Sequence, residues 1–140
     1  ARYDTISAII PVRDINGLNS KVHGHFGRAP YFIILRRDNK GDAEIEDFYY
    51  NMFLGDKDRI HIGVKVIKTV IKHNLDLVFT AKIGEISFHM LKDNFIDIYK
   101  VEAGETVRGV IERYRNGEIE PITAPHPAEE SEIEREKKRK

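Results

Sequence analysis

Apolar stretches of strand length and of helix length follow one another along this sequence in an order that permits few folds. Three strand-like stretches come first, at Thr5–Val12, Tyr31–Arg37 and Glu44–Tyr50. The tetrapeptide DNKG at residues 38–41 separates the second from the third, and its glycine can adopt a positive φ, which predicts a hairpin. The first stretch is apolar at nearly every position, which is typical of a central strand covered on both faces.

Helices and strands alternate in the second half of the chain. The segment Arg59–Asn74 fits two patterns, because Ile60, Ile62 and Val64 alternate as in a strand while Ile60, Val64 and Ile67 form a helical stripe. Its length favours a helix, for which Asp58 is a plausible N-cap. The remaining predictions are two strands, at Leu75–Ala81 and Phe95–Val101, and two helices, at Gly84–Asn94 and Thr106–Asn116.

This order predicts a single α/β domain over residues 1–119, with a mixed five-stranded sheet in the order 3-2-1-4-5 and about three helices. Residues 120–140 contain three prolines and then the charged run EESEIEREKKRK. Such a segment buries little apolar surface, so we expect a flexible tail whose removal hardly affects stability.

Charge and cysteine content exclude several classes of function. The chain has 23 Lys and Arg against 23 Asp and Glu, and this balance argues against nucleic-acid binding. It has no Cys, so a bound metal must be held by His, carboxylate, backbone or the sulfides of a cluster. No apolar run is long enough to span a membrane and no signal peptide is evident, so we expect a cytoplasmic protein.

The predicted topology brings candidate ligands together. The carboxyl ends of strands 1, 3, 4 and 5 share one edge of the sheet, where open α/β sheets bind ligands. Imidazole can ligate iron or copper, and Arg and Lys can neutralise an anionic cluster. The residues expected at this edge are His23, His25 and Arg28 after strand 1, His61 after strand 3, and Lys82, Ile83 and Gly84 after strand 4.

Histidines more often have ordinary roles than metal-binding ones. We interpret His73 and His89 as solvated or packing residues and His126 as part of the tail. His23 and His25 are stronger candidates, because alternate residues of an extended segment face the same side. A pair without a third ligand is still weak support for a metal site.

The motif HFGRAP at residues 25–30, within NSKVHGHFGRAPYF, resembles the hallmark of the dinitrogenase iron–molybdenum cofactor biosynthesis family. Weaker similarities follow in order: IHIG at 60–63, LVFTAKIG at 77–84, GETV at 104–107 and NGE at 116–118. Together they cover roughly Thr5–Ile119.

The resemblance implies a ribonuclease H-like core without catalytic activity, and we expect a monomer or weak homodimer. Such a protein carries, stores or inserts an iron–molybdenum or other metal–sulfur cluster and works with a delivery or acceptor protein. Lys82 departs from the family, in which a smaller polar residue is common, and the tail lacks a His-rich run. By resemblance, His25 is the best metal-ligand candidate, with Arg28, His61 and the Ile83-Gly84 turn around it. Together with the argument from the sheet edge, this predicts a site with the metal ligands His25, His61 and His23 and the cofactor-binding residues Gly27, Arg28, Lys82, Ile83 and Gly84.

Two alternatives stay open. The same fold can serve as an adaptor that binds a protein without any cofactor. A ribonuclease H-like nuclease would need carboxylates clustered at strand ends, for which Asp14, Asp76 and Asp97 are the candidates.

If His25 ligates a cluster, binding should weaken below about pH 6 as the imidazole protonates.

Overall fold

The computed structural model describes residues 5–37, 43–55 and 62–126, which form one sheet with helices on both faces. None of the helices in these ranges is both long and apolar enough to cross a membrane. The strands are β1 (Ile6–Val12), β2 (Tyr31–Arg37), β3 (Glu44–Tyr50), β4 (Leu77–Thr80) and β5 (Asp97–Lys100), and the α-helices are α1 (Ile62–Val70), α2 (Glu85–Asp93) and α3 (Val107–Arg115).

The sheet has the order β3-β2-β1-β4-β5, which confirms the prediction. β1 is antiparallel to β2 along its full length, from Ile6 opposite Arg37 to Val12 opposite Tyr31. β3 is antiparallel to β2, whereas β4 is parallel to both β1 and β5. The predicted hairpin pairing is therefore confirmed, although its turn at residues 38–41 lies outside the described ranges.

β1 is covered on both faces, as its continuous apolar sequence predicts. Ile9 and Ile10 are neighbours that point to opposite faces, and both are fully buried. Ile9 belongs to the core that includes Ile67 of α1 and Leu91 of α2. Ile10 belongs to a second core, on the α3 side, that includes Val110. Alternate residues of β1 therefore contribute to two separate cores, one on each face of the sheet.

The ambiguous segment before β4 is helical where the structure describes it. α1 continues into a 3₁₀ turn over residues 71–73. Ile62, Val66 and Ile67 are buried while Val64 is only half-buried, which is the pattern of one helical face and not of a strand. The proposed N-cap Asp58 lies outside the described residues.

The segment after α3 differs from the expectation. Ile119 and Ile122 are both buried. Pro121 lies opposite Tyr99 of β5, and the Ile122 N–H donates to the Ile98 carbonyl at 2.8 Å. Residues 120–126 therefore differ from the flexible tail expected from the sequence, because the buried Ile122 and backbone hydrogen bonds hold them against the sheet. Residues 127–140 lie outside the described ranges, so there the tail stays a prediction.

Candidate functional site

The long loop after β1 meets the turn after β4 at the carboxyl edge of the sheet. The Phe26 N–H donates to the Lys82 carbonyl at 3.4 Å, and that carbonyl also accepts from the Thr80 hydroxyl at 3.0 Å. On the other side of the loop, the His23 N–H donates to the Pro11 carbonyl of β1 at 2.9 Å. The bond between Phe26 and Lys82 brings together residues that are 56 positions apart in the sequence.

A cavity of about 540 Å³ opens at this meeting point. Among the described residues that line it, three are cations and one is a carboxylate, so its electrostatic potential favours an anion. Three imidazoles add neutral nitrogen ligands or hydrogen-bond donors. The lining residues are His23, Gly24, His25, Arg28, Ala81, Lys82, Lys100, Glu102, Ala103 and His126.

His23 and His25 are coupled through the backbone. The His23 Nδ1 lies 3.0 Å from the backbone nitrogen of His25 and 3.0 Å from its carbonyl oxygen. Nδ1 accepts from the N–H in one tautomer and donates to the carbonyl in the other. In the second tautomer Nε2 carries a free lone pair and can ligate a metal, so the pairing is compatible with ligation by His23.

The imidazole of His25 has a ring nitrogen that lacks a hydrogen-bond partner among the described residues. Its Nδ1 is buried, and no atom of the described residues hydrogen-bonds to it. Burial, with smaller contributions from the positive charges of Arg28, His23, Lys82 and His126, lowers the pKa of His25 to about 4. The imidazole is therefore neutral at physiological pH, the form that donates a lone pair to a metal. The lowered pKa moves the expected loss of binding from below about pH 6 to near pH 4, and this loss stays a prediction.

Asn51 holds the loop from the end of β3. Its side chain is buried, and Nδ2 donates to the carbonyls of Gly27 at 3.1 Å and Ala29 at 2.9 Å. Its Oδ1 accepts from the Phe53 N–H at 3.1 Å, and its own N–H donates to the Pro30 carbonyl at 2.9 Å. One side chain thus fixes the backbone that carries His25 and Arg28.

Gly27 has a packing role within the HFGRAP motif. A Cβ atom at this position would lie 2.9 Å from the Cα of Gly63 in α1, a distance that real Cβ atoms do not show. The close approach of the loop to the helix therefore requires glycine. Phe26, the preceding residue, is buried against Phe32 with ring centroids 5.2 Å apart.

The structure brings together some of the predicted site residues but not all. His23, His25, Arg28 and Lys82 line the cavity. Gly27, Ile83 and Gly84 are buried next to these residues and are absent from its described lining. His61 lies outside the described residues. The predicted convergence of the loop after β1 with the turn after β4 is therefore observed, while the contribution of His61 stays a prediction.

Sequence reasoning missed His126, Lys100 and Asn51. Lys100 ends β5, so the argument from the sheet edge could have included it. Asn51 directly follows β3 at the same edge and carries the same signal. His126 gave none, because it follows a proline in a segment expected to be tail.

The carboxylates of the nuclease alternative do not gather at one edge. Asp14 follows β1 at the carboxyl edge and accepts from the Lys21 N–H at 2.8 Å. Asp76 precedes β4 and accepts from the Ser7 N–H at 2.9 Å, and Asp97 begins β5. Within the described ranges, no group of three or more His, Asp or Glu side chains is arranged to hold a metal ion.

A mixed sheet covered by helices, with a cationic, histidine-lined cavity at its carboxyl edge, defines a small α/β domain with a candidate anion-binding site. The particular family follows from the sequence profile of the dinitrogenase iron-molybdenum cofactor family, which matches residues 7–117. The chain belongs to this family. The resemblance carried by HFGRAP is thereby confirmed, and with it an association with iron–molybdenum cofactor biosynthesis.

Solved structures agree with this assignment. The apo form of the orange protein from Desulfovibrio gigas superposes with a TM-score of 0.71 at 21% identity, over 86% of this chain and 95% of that one. A candidate NifB protein from Thermotoga, described as a DUF35 member, superposes with a TM-score of 0.67 at 26% identity, over 86% and 97%. At 21% identity, the likeness to the orange protein shows a shared fold. No curated protein matches the sequence significantly.

Proposed function

We propose that this protein binds, carries or helps to insert an iron–molybdenum or other metal–sulfur cluster, and that it does so without catalysing a reaction. The observation that carries the proposal is the neutral imidazole of His25, whose Nδ1 has no hydrogen-bond partner among the described residues, in a cavity with an excess of cations. A cluster brings its own sulfides to complete the coordination of its metals, so few protein ligands are needed. Membership of the family supports this cargo.

Each side chain of the cavity has a distinct task in this proposal. His25 ligates an outer metal of the cluster through a ring nitrogen. Arg28, Lys82 and Lys100 offset its negative charge, and attraction by exposed Lys side chains is screened by salt. His23 ligates only in the tautomer whose Nδ1 donates to the His25 carbonyl. The cavity volume of about 540 Å³ lies within the range of small-molecule sites.

The test is an anaerobic titration of the apo protein with a preformed molybdenum–iron sulfide cluster, followed by charge-transfer absorbance. We expect the parent to bind stoichiometrically and His25→Ala to bind at least tenfold more weakly, because a ligand is lost. His89→Ala is the matched control, since His89 is exposed on α2 away from the cavity. Equal binding by the His25→Ala variant and the parent would refute the ligand assignment.

A delivery or acceptor protein would meet the same edge of the sheet. Tyr50 and Met52, which end and follow β3, are 66% and 70% exposed, and Ile86 in the first turn of α2 is 48% exposed. Exposed apolar side chains at this edge of the sheet are suited to protein contact. The same feature favours the adaptor alternative. Elemental analysis of protein purified without oxygen from its native host separates the two, because an adaptor contains no molybdenum or iron.

A further inference from the structure

The segment that follows α3 forms a strap beside the cavity. We define the strap as residues 120–126. It runs antiparallel to β5, where the Lys100 N–H donates to the Glu120 carbonyl at 2.9 Å and the Ile122 N–H donates to the Ile98 carbonyl at 2.8 Å. Pro121, between these bonds, lies opposite Tyr99 and needs no N–H there. The strap is thus an ordered addition to the edge of the sheet.

Two hydrogen bonds attach the end of the strap to the turn after β4. The His126 N–H donates to the Ile83 carbonyl at 2.8 Å, and the Ile83 N–H donates to His126 Nδ1 at 3.3 Å. His126 also lines the cavity together with His23 and His25. The strap therefore delivers a third imidazole to the site from a part of the chain that no motif marks.

The bond from Ile83 determines what His126 can offer. Because Nδ1 accepts a hydrogen bond, its lone pair is occupied, and in the neutral ring the proton resides on Nε2. A protonated Nε2 donates a hydrogen bond and cannot ligate a metal. His25 differs, because its Nδ1 has no hydrogen-bond partner among the described residues. The imidazoles of His25 and His126 line the same cavity but are therefore suited to different roles, His25 to metal ligation and His126 to hydrogen-bond donation.

We propose that the strap completes the cargo site and that His126 donates a hydrogen bond from Nε2 to a sulfide or oxo group of the anionic cargo. This inference rests on the proposed function. It adds that the cargo is held by a ligating imidazole on one side and by a hydrogen-bonding imidazole on the other. Such a bond to a charged acceptor is stronger than one between neutral groups.

Two variants separate the two nitrogens of His126. His126→Asn retains an acceptor near the Nδ1 position for the Ile83 N–H but loses the donor. His126→Gln places an amide donor near the Nε2 position but loses the acceptor. We expect His126→Asn to bind the molybdenum–iron sulfide cluster roughly tenfold more weakly than the parent, the loss of one hydrogen bond to a charged group. We expect His126→Gln to retain more affinity, and the charge-transfer band to keep its position in both variants.

Other outcomes overturn specific parts of the inference. Parent-like affinity in His126→Asn means that His126 only fastens the strap. A shifted charge-transfer band in both variants means that His126 ligates the metal. If the parent itself does not bind the cluster, the proposed function fails as well. If the parent binds it and the variants do not behave as expected, only the role of His126 is refuted.

The tautomer of His126 and its hydrogen bond with Ile83 can be tested by NMR without any cargo. Imidazole ¹⁵N shifts of the full-length apo protein should show His126 as the Nε2–H tautomer, and an Nδ1–H tautomer would overturn the donor assignment. Hydrogen exchange at the Ile83 amide should accelerate in His126→Gln and remain slow in His126→Asn. His89→Asn is the control for both measurements and should leave the Ile83 amide unchanged.

Discussion

Individual side chains at the carboxyl edge form the candidate site of this protein. His25 combines a buried, unpartnered nitrogen with three cationic neighbours in the cavity lining, Arg28, Lys82 and Lys100. A neutral, partly desolvated imidazole in such a place destabilises the apo protein slightly, which is common where a site awaits a ligand. Asn51 and Gly27 hold the backbone around it without lining the cavity.

The depressed pKa of His25 predicts how stability depends on pH. The imidazole titrates near pH 6.5 in the unfolded chain and near pH 4 in the folded one. Between these values the unfolded state binds more protons, so the free energy of unfolding falls as the pH is lowered through that window. The loss amounts to roughly 3 kcal/mol at most, from 1.36 kcal/mol per pKa unit.

NMR titration of the apo protein measures the His25 pKa directly, and urea unfolding at pH 7 and pH 4.5 measures the free-energy difference. Replacing His25 by Gln should reduce the pH dependence, whereas His89→Gln should leave it unchanged. A measured His25 pKa near 6.5 would contradict the prediction.

Asn51 is expected to stabilise the loop after β1 through its side-chain hydrogen bonds. Asn51→Ala leaves the carbonyls of Gly27 and Ala29 and the Phe53 N–H without the partners that Asn51 supplies. We expect a loss on the order of 2–3 kcal/mol, because buried polar groups that lose their partners are costly. Urea unfolding with an unchanged m-value measures it. Asn19→Ala, at an exposed position, should cost less than about 0.5 kcal/mol. Equal losses in the two variants would show that Asn51 does not stabilise the loop.

The helices and strands were largely predictable because local signals agree with the tertiary contacts. Thr106 caps α3 by accepting from the Gly109 N–H at 3.0 Å, and Gly117 ends that region with a φ of 70°. α1 was ambiguous by periodicity and was decided by its length. The pairing of the segment after α3 with β5 could not be predicted, because two isoleucines among prolines and charges give no periodic signal.

Truncation tests the strap as an element. A chain ending at Glu118 loses the buried Ile119 and Ile122 together with the hydrogen bonds to β5 and Ile83. We expect its melting temperature to fall by roughly 10 °C, because the burial of one large apolar side chain contributes about 1.5–3 kcal/mol. A chain ending at His126 is the control and should melt close to the full chain. Equal melting temperatures in both truncations would restore the original expectation of an unimportant tail.

At the scale of the whole molecule, the topology explains why the site forms where it does. β1, β4 and β5 are parallel, so their carboxyl ends meet at one edge, and β3 ends there too. Loops after these strands supply the cavity, while both faces of the sheet are occupied by helices. The packed faces hold the loop backbone in place, and the edge is left for a ligand.

The strand order, the helical character of α1 and the family could all be predicted from the amino-acid sequence, because they depend on periodicity, turn chemistry and the HFGRAP motif. The sequence also indicated that His23, His25, Arg28 and Lys82 would converge. The folded structure was needed to show that His126 and Lys100 join them, that Gly27 serves packing, and that burial lowers the pKa of His25 to about 4. The physical reason is that these properties depend on burial and on neighbours distant in the chain, which local sequence patterns do not record.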